Sequence, residues 1–277
     1  MHPEIQDFLS RLNAGVDLVL KNKVLFLVIA LLDIAFFSGL VYFHTTLLVE
    51  ASDSINSVLK DLQEQTNGLN ETELLQFEQK LTENQEFMQK YKQLITYTGY
   101  FFGIAALLWI IFQGASLVIA NKIVHKKIDY LKVYVLFLFW SFFWFAVSFA
   151  ALLFLSSMAQ PAGLGIGNFN LFYFLSNLVI AYFAFVSFSL VHRGFSIKLP
   201  FLVGQFYWKK LVPGFVLILV ALFVLINVGN SIVHSNALAA LIFSAVFIIP
   251  TLAFFRIYFI NLVDSVVKNA ELLPDKA

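Results

Sequence analysis

"VLFLVIALLDIAFFSGLVYFHTTLLV", residues 24–49, is apolar at nearly every position except Asp33. Coiled as a helix at 1.5 Å per residue it reaches about 39 Å, enough to cross a hydrocarbon layer of about 30 Å. A bilayer offers the backbone no hydrogen-bond partner, so such a segment must close its own bonds as a helix. Lys21 and Lys23 precede it, as basic residues precede a secretory signal. The apolar run is roughly double the length of a signal h-region and contains an acid, so the reading is a retained transmembrane span.

The rest of the chain agrees with that segment. Of its 277 residues 60% are hydrophobic and only 13% charged, with a mean hydropathy of +0.83, whereas soluble domains carry about 25% charged residues. A net charge of +1 gives no electrostatic case for a nucleic-acid partner. The absence of cysteine removes disulfides, thiolate metal sites and cysteine nucleophiles together.

Five more segments meet the same test of length and polarity: about 96–120, 133–157, 171–191, 211–233 and 237–262. The short connections set their direction. Arg11, Lys21 and Lys23 precede the first span; Lys122, Lys126, Lys127 and Lys132 fill the second connection; Arg193, Lys198, Lys209 and Lys210 fill the fourth. The third and fifth connections, 158–170 and 234–236, have no Lys or Arg. Basic loops stay on the cytoplasmic side, so both termini are expected there, in a protein integral to the plasma membrane. The predicted organisation is all-α: an amphipathic interfacial helix over 1–23, a first span over 24–49, an extracytoplasmic module over 50–95, spans two to six within 96–262, and a cytoplasmic tail over 263–277.

Before the first span, Ile5, Phe8, Leu9, Leu12, Val16 and Val19 recur mostly three or four residues apart, with Pro3 suited to a first helical turn. The entries "NKIVHKKIDYLKVY" and "FSIKLPFLVGQFYWKKLV" likewise combine lysines, aromatic residues and apolar positions, as expected at headgroup depth. The chain thus parses into three units, each an interfacial entry followed by two spans. The stretch "SLVHRGFSIKLPFLVGQFYWKKLVPGFVLILV" resembles the six-helix membrane domain shared by some glycerophosphodiester phosphodiesterases and many uncharacterised prokaryotic proteins. The resemblance covers about the last half of the chain. It implies an architecture and no catalytic residues, because the phosphodiesterase domain of those fused proteins has no counterpart in this sequence.

Residues 50–95 form the hydrophilic module. Nine acids against Lys60, Lys80, Lys90 and Lys92 give it a strongly negative balance. Ala51, Ile55, Val58, Leu62 and Gln65 step by four and three, as do Leu74, Phe77, Leu81, Asn84, Met88, Tyr91 and Ile95, the seam spacing of a coiled coil. Asn67-Gly68 supplies a turn, and Asn70 with Glu73 forms a capping box. An antiparallel helical hairpin projecting about 30 Å follows, its second arm running unbroken into the second span. Phe77, Asn84, Met88 and Tyr91 leave the seam poorly satisfied and so make up a candidate docking surface for another membrane or extracytoplasmic protein. Asn70-Glu71-Thr72 matches a glycosylation acceptor.

No catalytic motif is present: no HExxH, GxSxG or Walker loop. His2, His44, His125, His192 and His234 all fall near span ends or in loops, the places of ordinary interfacial histidines. His44 and His234 are both expected near the outer surface, and even there a satisfied histidine outweighs a shared metal, so no metal ligands and no cofactor are assigned. Asn177, Asn227 and Asn230 read as hydrogen-bonding glue between helices, each worth under about 2 kcal/mol. Asp33 and Arg256 differ, since each carries a full charge inside an apolar run. At 1.5 Å per residue they lie about 13 Å and about 9 Å from the same membrane face. An ion pair joining the first and sixth helices is the expectation.

These features point to a non-enzymatic integral membrane protein, a scaffold or accessory subunit whose outer hairpin docks a partner. The alternative is a transporter or permease component in which Asp33 and Arg256 line an intramembrane cavity. A lipid-modifying enzyme would need polar residues gathered at one interface, and no such gathering is visible along the chain.

Overall fold

A computed structural model describes residues 3–49, 85–159, 166–234 and 236–271, together with 52–53, 55–56 and 60. The described residues are 94% helical and include no strand, and six helices among them are long and apolar enough to cross a membrane. Two amphipathic helices stand apart from those six. The first is α1 (Pro3–Lys21), which starts at the proline expected to open it.

α2 (Lys23–Phe43) follows after a single residue and ends in a π turn over His44–Val49. α3 (Gln85–Leu108) passes through another π turn, Trp109–Gln113, into α4 (Gly114–Val124). The continuity from Gln85 onward agrees with a stretch holding neither proline nor a cap to stop it. α5 (Tyr130–Ala159) and α6 (Ile166–Ser189) make up the next pair. Then come α7 (Lys198–Phe206), the second amphipathic helix, and α8 (Trp208–Val233). α9 (Ala237–Phe243) is capped by Asn236, whose Oδ1 accepts from the backbone N–H of Leu238 and Ala239. A π turn over Ser244–Ile248 joins it to α10 (Ile249–Glu271).

Two details differ from the reading of the sequence. "NKIVHKKIDYLKVY" is divided between the end of α4, a short bend over residues 125–129 and the start of α5, with no interfacial helix of its own. The run of Lys126, Lys127 and Asp129 interrupts the apolar repeat too soon for a separate helix to form. At the other end, α10 continues to Glu271, so residues 263–271 of the expected tail are helical. Val263, Val266 and Val267 are buried along one side of it, which gives the added turns a packing reason.

The chain separates into two compact units, one of residues 1–34 with 114–277 and one of residues 35–113. In the smaller, Gly39 meets the side chain of Leu108, and Phe36 and His44 pack edge-on against Trp109 and Phe101. In the larger, α10 is the hub, packing against α1, α4, α6 and α8. Its core gathers Tyr182, Val186, Leu211, Phe215, Tyr258, Phe259 and Leu262. α8 and α10 approach closely at Gly214, where a Cβ would lie 2.6 Å from Leu262 Cδ2.

Candidate functional site

Two polar clusters are built into the larger unit, both centred on a carboxylate of buried position. The first is carried by α2, α4 and α10. Asp33 is 0% exposed, and Arg256 Nη2 donates to its Oδ1 at 3.1 Å. Ser116 Oγ donates to the same oxygen at 3.3 Å. Three helices distant in sequence are therefore tied at one atom. Burying two charges is costly, and breaking such a pair by removing one partner typically costs about 3–5 kcal/mol, because the other charge is left in a low dielectric. Ser116 carried no distinguishing signal, since a serine in an apolar helix ordinarily bonds its own backbone.

The second cluster assembles from residues whose sequence positions gave no hint of proximity. His125 follows the last residue of α4, its backbone N–H still bonded to the Asn121 carbonyl at 2.7 Å. His192 and Arg193 sit on the short 3₁₀ turn Val191–Arg193 that ends α6. That turn is released by Gly194 at φ 108°, a left-handed conformation that side chains rarely tolerate. Asp264 and Lys268 lie one turn apart on α10. Arg193 Nη2 donates to Asp264 Oδ1 at 3.0 Å, and Lys268 Nζ reaches Oδ2 at 2.6 Å.

Both histidine rings face the same carboxylate. His192 Nε2 is 3.6 Å from Asp264 Oδ1, and His125 Nδ1 is 3.9 Å from Oδ2. The two rings stack with centroids 3.7 Å apart and an interplanar angle of 27°. His192 Nδ1 lies 3.1 Å from the Ser189 carbonyl oxygen, which can only accept, so Nδ1 carries a proton. His125 is 11% exposed and its Nε2 is buried without a hydrogen-bond partner. Burial first, then the neighbouring His192, push its pKa down from 6.5 to about 4, so that it is neutral near pH 7.

The other residues singled out from sequence are distributed differently. Asn177 joins α5 to α6 as expected of interhelical glue: Ser148 Oγ donates to its Oδ1 at 2.7 Å, and its Nδ2 donates to the Tyr173 carbonyl. Asn227 instead donates to the Phe223 carbonyl of its own helix, and Asn230 is exposed. Asn227 therefore falls short of the interhelical role, because an amide on a helix surface finds the i−4 carbonyl sooner than a neighbouring helix. Met88 is half-buried and Tyr91 exposed on α3, with Tyr91 stacked on Phe87. Phe77, Asn84 and Asn70 lie outside the described residues.

Chemically, the first cluster is a buried electrostatic clamp between one acid and one base. The second holds two imidazoles and a carboxylate whose ligand atoms lie within 4.8 Å of one another, a donor set fit for a metal ion. The polar gathering at one end of the helices that was not visible along the chain is therefore present in three dimensions. No protein-family model, curated protein or solved structure matches the chain.

Proposed function

We propose that this is a non-enzymatic integral membrane protein, a scaffold or accessory subunit with both termini cytoplasmic and residues 50–95 presenting an outer docking surface. Membrane residence is supported by the surface of the helices. In each of the six apolar windows only 22–28% of the residues are buried, and Phe142, Phe145, Phe149 and Phe223 are among the large apolar side chains left outward. Water would not tolerate that surface on a monomer, whereas lipid matches it.

The observation that carries the scaffold reading is the state of Asp33. Its carboxylate is wholly buried and held by Arg256 and Ser116 from two other helices. A group that bound solute or exchanged protons would need access to water; a group that locks helices together does not. This weighs against the permease alternative. The hairpin's acidic balance further suits a partner with a basic surface.

Site-specific photo-crosslinkers at Met88 and Tyr91, combined with affinity purification from native membranes, test the proposal. A discrete adduct that weakens with salt is expected from the intact chain, and the protein captured in that adduct should be lost from the purification when residues 52–93 are deleted. A set of co-purifying proteins unchanged by the deletion would rule out docking through this segment.

A further inference from the structure

We propose that His125, His192 and Asp264 form a binding site for a first-row divalent transition-metal ion, with Zn²⁺ the best fit. The inference goes beyond the scaffold reading and does not depend on it.

The tautomer of His192 carries the first step. With its Nδ1 proton committed to the Ser189 carbonyl, His192 has Nε2 left to face Asp264 Oδ1, 3.6 Å away. Two electron-rich atoms facing each other in a buried site repel, unless a proton or a metal ion lies between them. A backbone carbonyl fixing the remote ring N–H is also how metal-binding histidines are oriented.

His125 carries the second step. Its ring lies against His192 at 3.7 Å between centroids, so charging both would set two cations face to face. The two rings bring two ligand nitrogens to one carboxylate, all three ligand atoms lying within 4.8 Å of one another. Around a tetrahedral Zn²⁺ with bonds of about 2.1 Å, ligand atoms sit about 3.4 Å apart. The separations of 3.6 and 3.9 Å to Asp264 are close to that, and one imidazole must swing out of the 27° stack to bring both in-plane lone pairs onto a single ion. Three protein ligands leave a fourth position for water.

The cations around Asp264 set the limits of the site. Arg193 holds Oδ1 and Lys268 holds Oδ2. Lys268 is 61% exposed on a flexible stem, so it can leave Oδ2 to an incoming ion at little cost. Arg193 is 18% exposed and stays as the group that orients the carboxylate. The ion would thus replace Lys268 as the positive centre against Oδ2, and bind the ends of α4 and α6 to α10.

Full-length protein, purified in detergent, stripped with EDTA and dialysed, should take up one equivalent of Zn²⁺. Co²⁺ on the unaltered protein should give the intense visible absorption of a four-coordinate nitrogen and oxygen site. His125→Gln and His192→Gln should each weaken Zn²⁺ binding roughly tenfold or more. Lys268→Gln, which removes a competing cation, should tighten it about three- to tenfold. A His44→Gln, His234→Gln double variant should leave it unchanged. The Co²⁺ spectrum and the Lys268→Gln gain test the site even if a histidine variant fails to fold. The proposal is overturned by no uptake on the unaltered protein, by an octahedral Co²⁺ spectrum at saturation, by full binding in both single histidine variants, or by loss of binding in the double control.

Discussion

Asp33 and Asp264 are both buried acids met by arginine, yet they use their partners in opposite ways. Asp33 sits where α2, α4 and α10 cross, and its Oδ1 alone receives both Arg256 and Ser116. Asp264 sits nearer the end of α10 and divides two oxygens among Arg193, Lys268 and two imidazoles. The first arrangement sets one wholly buried acid against one base with a hydroxyl beside them. The second has more charged and chargeable groups than one carboxylate can satisfy, so its composition can change with pH or with a bound ion.

The largest effect should come from breaking the Asp33 clamp. Arg256→Met leaves a carboxylate buried without its counter-charge and should cost about 3–5 kcal/mol, measured as a fall in unfolding temperature in detergent. Asp33→Asn combined with Arg256→Met should recover much of that loss, since no charge remains in the interior. A double variant no more stable than Arg256→Met alone would show that the two side chains act independently. Asp264→Asn should cost less, about 2–3 kcal/mol, because the amide oxygen can still accept from Arg193 and the 61% exposed Lys268 can turn to solvent. If it cost more than Arg256→Met, the contrast between a closed pair and an exchangeable cluster would fail.

The pH response should also separate the two clusters. His125, facing His192, Asp264, Lys268 and Arg193, has its folded pKa lowered from 6.5 to about 4. The unfolded chain therefore binds the extra proton first as pH falls. In metal-free protein, stability should be level above about pH 6.5 and decline by up to about 3 kcal/mol toward pH 4. His125→Gln should flatten that slope. A slope that survives the substitution would place the titration elsewhere.

The two clusters also mark how far the sequence could be read. Six long apolar runs made the helices legible, and two full charges inside such runs made Asp33 and Arg256 conspicuous. Matching their depths needed only helical rise and the direction of the spans. The Asp264 cluster was not legible by the same means. His125, His192, Arg193 and Lys268 fall at helix ends, where basic residues are expected for topology alone. Asp264 lay beyond the apparent end of the last apolar run, so it read as tail. What brings them together is the extension of α10 and the turn at Gly194, both tertiary outcomes. Asn227 shows the converse error, a polar residue conspicuous in an apolar run yet bonded only within its own helix.

The smallest effect, and the finest test of the contrast, lies with Lys268. In metal-free protein its ion pair with Asp264 is one turn along the same helix, and the ammonium is 61% exposed. Solvent screens such a pair, and the lysine gives up side-chain freedom to hold it, so Lys268→Gln should change stability by less than about 1 kcal/mol. Arg193→Gln should cost more, because Arg193 is 18% exposed and joins the end of α6 to α10 across the fold. Thermal unfolding of the two variants side by side, with chelator present, reads the order directly. Equal losses would mean that Lys268 is as fixed to Asp264 as Arg193 is, and the cluster would then have no partner free to yield to an ion.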